Sequence, residues 1–161
     1  MTARGARRAS RVLAGAAGLS LAAVAAALVT QHVYGMQPCP WCVLQRLIFI
    51  VLALLAVPAL LWRTPLARRV SGGLMLVAAL AGAAAALWQH FVAAASASCN
   101  LTWADRIMGA TGLDERFPQV FAAYASCAEG RVKLAGAPYE FWSLALFILV
   151  GAAALWALRR G

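Results

Sequence analysis

The sequence predicts an all-α membrane protein, a four-transmembrane-helix bundle with a long outer loop between the third and fourth helices. Three observations carry this. Of 161 residues, 64% are hydrophobic and 12% charged, whereas a soluble domain carries about 25% charged residues. Such a chain must hide its surface in lipid. Four apolar runs, at about 12–29, 43–62, 70–92 and 141–158, each approach the roughly 20 residues that cross a hydrocarbon core as a helix. Backbone groups inside lipid must pair within their own segment, which makes helices the default. Finally, the charges are sorted by side. Arg4, Arg7, Arg8 and Arg11 precede the first run, Arg63, Arg68 and Arg69 separate the second from the third, and Arg159 and Arg160 follow the fourth. The positive-inside rule makes these three regions cytoplasmic. All five acidic residues (Asp105, Asp114, Glu115, Glu129, Glu140) fall in the other long connection or at its edge. The net charge of +9 therefore encodes orientation, with both termini inside, and does not indicate nucleic acid.

In chain order, the first run resembles a secretory signal, but it is longer than a usual signal core and reads as an uncleaved span. The first outer loop, about 30–42, ends in Gln37-Pro38-Cys39-Pro40; two prolines around Cys39 favour an extended turn. The second helix is expected to begin near Trp41 or Cys42, with Pro58 near its far end, and the inner loop Arg63 to Arg69 is tight and basic. Gly15, Gly18, Gly72, Gly82 and Gly151 are small residues that let membrane helices approach closely. The second outer loop, about 93–140, is too long for a plain connection. Leu101, Trp103, Ile107 and Met108 form a candidate apolar face opposite Asp105 and Arg106, and Phe117, Val120, Phe121 and Tyr124 repeat at helical spacing. Short amphipathic helices on the bilayer surface fit both stretches, as does packing against the helix ends. Trp41, Trp62, Trp88, Trp142 and Trp156 fit an aromatic belt, with Trp41 also placed to shape a pocket. There is no internal repeat, and the chain 1–161 reads as a single domain.

The chemistry concentrates at Cys39-Pro40-Trp41-Cys42, with Arg46 one helical turn later. Two cysteines so spaced can close a small reversible disulfide. The reactive form is the thiolate, which a helix N-terminus or a nearby cation stabilises. Cys42 and Arg46, at i and i+4, share a helix face, and an arginine just inside the apolar boundary is expensive and is usually functional. A c-type haem site would need His where Val43 stands. A zinc site would usually show a second close pair, but Cys99 and Cys127 are 28 positions apart, so no metal is expected. All four cysteines fall on the outer side, in keeping with an oxidising compartment. Three pairings are open to them; locality favours Cys39–Cys42 and Cys99–Cys127. The second pair is either a staple for the long loop or a bridge open to attack by an incoming thiolate. His32 and His90, near the outer surface, read as hydrated interfacial residues.

The arrangement resembles the disulfide bond formation protein B (DsbB) family, bacterial inner-membrane thiol:quinone oxidoreductases. The resemblance spans nearly the whole chain: Cys-Pro-Trp-Cys opening the second span, Val43-Leu44-Gln45-Arg46 directly after it, Pro118-Gln119-Val120-Phe121 followed by Cys127-Ala128-Glu129, then Gly136 and Trp142-Ser143-Leu144. It implies a multi-pass protein of the bacterial inner membrane whose long loop is periplasmic. It implies that Cys39, Cys42, Cys99 and Cys127 are catalytic and that a reduced periplasmic DsbA-type oxidase attacks the Cys99–Cys127 bridge at Cys99. The Cys39–Cys42 pair would reoxidise that bridge. Cys42 would face ubiquinone or menaquinone, with Arg46 stabilising both thiolate and quinone oxygen. The chain departs from the family at Ala83 to Ala86, where relatives often carry a polar or basic residue and for which Gln89 or His90 is the candidate substitute toward the quinone, and at Arg131 to Pro138, which lacks an aromatic found in some. Two other readings share the cysteine set. Vitamin K epoxide reductase-like enzymes place Cys-x-x-Cys late in the bundle, whereas here it precedes the second span. A non-catalytic scaffold would hold two structural bridges resistant to mild reduction.

Overall fold

The structure, a computed structural model, describes residues 3–62, 64–95, 102–126, 128 and 132–160. Helix α1 spans Ala3–His32 and α2 spans Pro40–Leu61; α3, Pro65–Trp88, runs on into a π-helical turn, Gln89–Ala93. Three short helices follow: α4 (Trp103–Thr111), α5 (Leu113–Arg116) and α6 (Pro118–Phe121). A two-stranded hairpin, β1 (Lys133–Leu134) and β2 (Ala137–Pro138), leads into α7 (Tyr139–Arg160). Among the described residues, four helices are long and apolar enough to cross a membrane: α1, α2, α3 with its π turn, and α7. The predicted four-helix membrane bundle is thus present, in a ring α1–α2–α3–α7 that closes by contact of α7 with α1.

The helix starts follow from local chemistry. Cys39 is the N-cap of α2 in extended conformation, with Pro40 at the first helical position, where a missing N–H costs nothing. Thr64 caps α3, its Oγ1 accepting from Ala67 N at 3.2 Å, and Pro65 follows. The predicted inner loop is therefore shorter than Arg63 to Arg69: Arg68 and Arg69 already belong to α3. Likewise α1 begins before its apolar run and carries Arg7, Arg8 and Arg11 on helical backbone. Arginine is a good helix former, so hydropathy marks where the lipid begins and not where the helix does.

Helix packing uses glycine selectively. A Cβ on Gly82 would lie 2.3 Å from the Phe147 ring, and one on Gly72 would lie 3.1 Å from Leu158, so α3 and α7 approach through these gaps. Gly151 faces Ala79 across the same seam. Gly15 and Gly18 do not share this role: nothing stands within 4 Å of a Cβ at either, and both are exposed on α1. Phe147 fills the space that Gly82 leaves and stacks on Phe49 with ring centroids 4.1 Å apart.

The long connection folds back over the start of α2. In α4, Ala104 and Met108 are buried, while Trp103 and Ile107 are exposed. The expected face of Leu101, Trp103, Ile107 and Met108 is therefore split. The i, i+4 pair Ala104 and Met108 packs on the Cys39–Trp41 cluster, and Trp103 and Ile107 turn outward with the Arg106 guanidinium 5.3 Å from the Trp103 ring; Leu101 lies outside the described residues. Asp105 closes a capping box with Thr102, accepting from Thr102 N at 2.7 Å, rather than serving as a solvated face. The helix expected from Phe117 to Tyr124 stops at Phe121, and the extended segment beyond it gives the Tyr124 and Ala125 N–H groups to Pro38 O at 3.0 and 3.3 Å. The β1–β2 turn places Ala135 and Gly136 at φ 52° and 83°, the double left-handed conformation of a tight hairpin. Trp142 Nε1 donates to Leu134 O at 3.1 Å and fixes the hairpin against α7.

Candidate functional site

Four helix ends converge where the chain carries its first two cysteines. Thr30 and Gln31 come from the end of α1, Cys39 to Arg46 from the start of α2, Gln89 and His90 from the π turn, and Tyr139 and Glu140 from the start of α7. The Cys39 and Cys42 Sγ atoms are 2.8 Å apart, near enough to close to the roughly 2.05 Å of a disulfide with a small movement. The Cys39 Sγ, at the N-cap, accepts from Cys42 N at 3.4 Å. Cys39 is fully buried, and Cys42 is partly exposed.

The Cys42 sulfur has a second neighbour. Gln89 Nε2 donates to it at 3.3 Å, and Gln45 Nε2 donates to Gln89 Oε1 at 2.8 Å. Gln45 thereby turns the Gln89 amide so that its N–H faces the sulfur. The π turn puts Gln89 inward, where it is buried; such turns recur at functional positions because one extra residue re-aims a side chain.

Arg46 lies on the same face of α2, 5% exposed. Its Nη1 donates to Gln31 Oε1 at 2.5 Å and to Val120 O at 3.0 Å, and its Nη2 donates to Ala27 O at 3.3 Å. Each of these acceptors is a neutral oxygen, so among the described residues no carboxylate is hydrogen-bonded to the guanidinium. Cys42 and Arg46 line one cavity of about 210 Å³ with Gln45, Gln89 and Glu140. The remaining wall is largely apolar, with Ala26, Phe49 and Leu146 on it. Ala26 and Trp142, also on the lining, are exposed, so the cleft opens laterally between α1 and α7.

The structure thus brings Cys39, Cys42 and Arg46 together as the spacing predicts, whereas Cys99 and Cys127 lie outside the described residues. Trp41 departs from the aromatic-belt reading: it is buried beside Cys39, 6.4 Å from the Trp88 ring, and does not line the cleft. His90 is no hydrated bystander. Its Nδ1 is 2.6 Å from Glu140 Oε1, and its ring lies 4.5 Å from Phe141. His32 is exposed and turned to its own helix, at Leu28 O. Gln31, Gln45 and Glu140 were not singled out by the sequence. The available signal was polar residues at or just inside the outer ends of apolar runs, where burial obliges them to find partners.

A family model for the disulfide bond formation protein DsbB matches residues 8–157. The chain belongs to the DsbB family. Relatives named disulfide bond formation protein B include one from Neisseria meningitidis serogroup A, 34% identical over 151 residues, covering 88% of this chain and 90% of its own length. One from Herminiimonas arsenicoxydans is 31% identical, covering 86% and 88% respectively. One from Stutzerimonas stutzeri is 33% identical over 85% and 86%. No solved structure matches the chain. Membership of the DsbB family gives the protein a part in disulfide bond formation, an oxidoreductase-type role, as a multi-pass membrane protein.

Proposed function

We propose that this DsbB-family member reoxidises a periplasmic DsbA-type dithiol protein and delivers the electrons to a membrane quinone, ubiquinone or menaquinone, from the bacterial inner membrane with both termini cytoplasmic. The observation that carries this is the shared cleft: Cys42 sulfur and Arg46 guanidinium line one mostly apolar hollow that opens between α1 and α7. The donor set fits a quinone. A flat apolar ring finds Ala26, Phe49 and Leu146, while a carbonyl oxygen finds a guanidinium fixed on neutral acceptors and an amide N–H at Gln89. When bound, the quinone supplies the acceptor for two electrons and two protons.

The residues divide the work as follows. The partner's thiolate opens the Cys99–Cys127 bridge, forming a mixed disulfide with Cys99 and freeing Cys127. The partner's second thiol then displaces Cys99 and the partner leaves oxidised. The reduced loop pair exchanges with the Cys39–Cys42 disulfide, so that the Cys99–Cys127 bridge reforms. That exchange moves two electrons and two protons from the partner's dithiol to the Cys39–Cys42 pair. Cys39 and Cys42 then release both as their Sγ–Sγ bond closes. Gln89, oriented by Gln45, holds the Cys42 sulfur at the cleft, and Arg46 favours negative charge beside it. Cys42 and Arg46 also border a smaller hollow with Pro38 and Tyr139, so Cys42 is approached from two sides. The anchoring of Tyr124 and Ala125 to Pro38 O lies two residues before Cys127 in the chain, which ties the loop bearing that cysteine to the turn bearing Cys39.

The test is purified protein mixed with a reduced DsbA-type protein and a soluble ubiquinone or menaquinone analogue. One quinol is expected per partner disulfide formed; no quinone reduction with any such partner overturns the reading. Arg46→Gln is expected to raise the quinone KM about 10- to 100-fold, the worth of one hydrogen bond to a charged group. Arg46→Lys, which keeps the charge but loses the planar fork, should fall between. A KM unchanged in both variants removes Arg46 from the quinone site.

A further inference from the structure

Glu140 stands in the first turn of α7 and is 5% exposed. It lines the same cleft as Cys42 and Arg46, and its Oε1 lies 2.6 Å from Nδ1 of His90. His90 comes from the π turn, whose last residue, Ala93, also ends the third span; its side chain is 30% exposed. Phe91 and Phe141 flank the ring, with centroids 4.9 and 4.5 Å away, and fix the direction of Nδ1. The pair therefore runs from the cysteine-bearing end of the bundle to the wall of the cleft.

Burying a carboxyl group is costly, and a membrane span that holds one usually has a use for it. An ion pair that merely tied α7 to α3 could sit at the surface, where neither group loses its hydration. Along the Nδ1–Oε1 line one proton can belong to the imidazole or to the carboxyl without displacing a heavy atom, because each atom can donate to the other. Imidazole is the side chain best suited to pass protons near neutral pH. Other polar groups on the described lining are poorer donors. Arg46 keeps its protons, and the Gln45 and Gln89 amides do not titrate. Tyr139, a phenol 3.2 Å from the Thr30 hydroxyl, releases a proton less readily than a carboxylic acid. From α1 the lining receives alanines and Thr30, none of them titratable.

Closing the Cys39–Cys42 bond sets free two electrons and two protons, and reduction of a quinone consumes two of each. We propose, resting on the quinone reading of this cleft, that Glu140 supplies one of those protons to a quinone oxygen and that His90 restores it from the aqueous phase. The Glu140 O–H bond breaks as its proton leaves, the carboxylate takes the proton on His90 Nδ1, and the ring takes one from water. Both sulfur protons pass to that same phase, and the second proton consumed is drawn from it, so the count closes. Arg46 favours the arriving negative charge, and the acid beside it neutralises that charge.

The experiment compares the full-length parent with Glu140→Gln and His90→Ala, using a soluble ubiquinone analogue and a reduced DsbA-type protein. Glutamine keeps the shape of the side chain and a bond to His90 but has no acid proton. The kcat of Glu140→Gln is expected to fall about 100-fold, the scale of a lost general acid, while the analogue's Kd stays within about threefold. His90→Ala should lose about 10-fold in kcat and recover with imidazole in the buffer, which a pair serving only to hold α7 would not show. Binding is also measured without turnover, in the Cys39→Ser background. There Glu140→Gln should weaken the quinol form about 5- to 10-fold relative to the quinone form, the difference between a charged and a neutral acceptor. Should Glu140→Gln melt at room temperature, His90→Ala with and without imidazole carries the test alone. A parent-like kcat in Glu140→Gln, an unchanged ratio of quinol to quinone affinity, or no rescue by imidazole overturns this inference and leaves the proposed function standing. A parent that neither binds nor reduces the analogue overturns the proposed function, and this inference with it.

Discussion

Replacing Cys42 with Ser is expected to reduce thiol-dependent quinone reduction to background, a loss of at least about 10³-fold, the scale seen when a reacting group is removed outright. The hydroxyl occupies nearly the same space and can still accept from Gln89, but it cannot form the Sγ–Sγ bond that releases two electrons. Quinone binding should survive, because Arg46, Gln89 and the cleft wall remain. Measuring quinone affinity alongside turnover therefore separates loss of chemistry from loss of the site. Cys39→Ser should be equally inactive for the same reason. Turnover above background in either variant would mean that the electrons travel by another route.

Gly82→Ala is expected to destabilise the bundle despite alanine's better helix propensity. Propensity favours the substitution by about 1 kcal/mol. Against this, the new methyl would stand 2.3 Å from the Phe147 ring, and overpacking of a full core costs about 1–3 kcal/mol. Phe147 cannot retreat freely, since its other face is stacked on Phe49. Phe49 also lines the cleft, so the strain reaches the site. The expected result is a lower Tm in detergent together with a raised quinone KM. Adding Phe147→Leu should restore much of the Tm, because it empties the space the methyl needs. A single variant as stable as the parent would show that α3 and α7 are not locked at this crossing.

The bundle was legible because lipid imposes a coarse rule. Four apolar runs and the placement of arginines locate the spans, and a Cys-x-x-Cys with Arg one turn on locates the chemistry. What escaped depends on contacts between segments distant in sequence. Nothing local to Gln89 says that a π turn will aim it at Cys42, or that Gln45 will orient it. Glu140 and His90 are 50 positions apart and become partners only when α7 docks beside the end of α3. The same limit applies to α4. Its apolar residues lie on two faces, and only the position of the Cys39 cluster decides that Ala104 and Met108 turn inward while Trp103 and Ile107 turn out. Arg68 reads as one more loop charge until Thr64 and Pro65 start α3 early enough to enclose it.

Arg46 is held by three neutral oxygens. A guanidinium paired with a carboxylate would present little net field to its surroundings. This one has no carboxylate among its described hydrogen-bond partners, and Glu140, the carboxylate on the described cleft lining, is engaged by His90. At about 5 Å and an effective dielectric near 20, one added electron is favoured by about 3 kcal/mol, roughly 140 mV for a one-electron step. The bundle thus favours any negatively charged state of whatever occupies that cleft, with a static field that is in place before an electron arrives, and leaves unshifted a reduction that takes up as many protons as electrons.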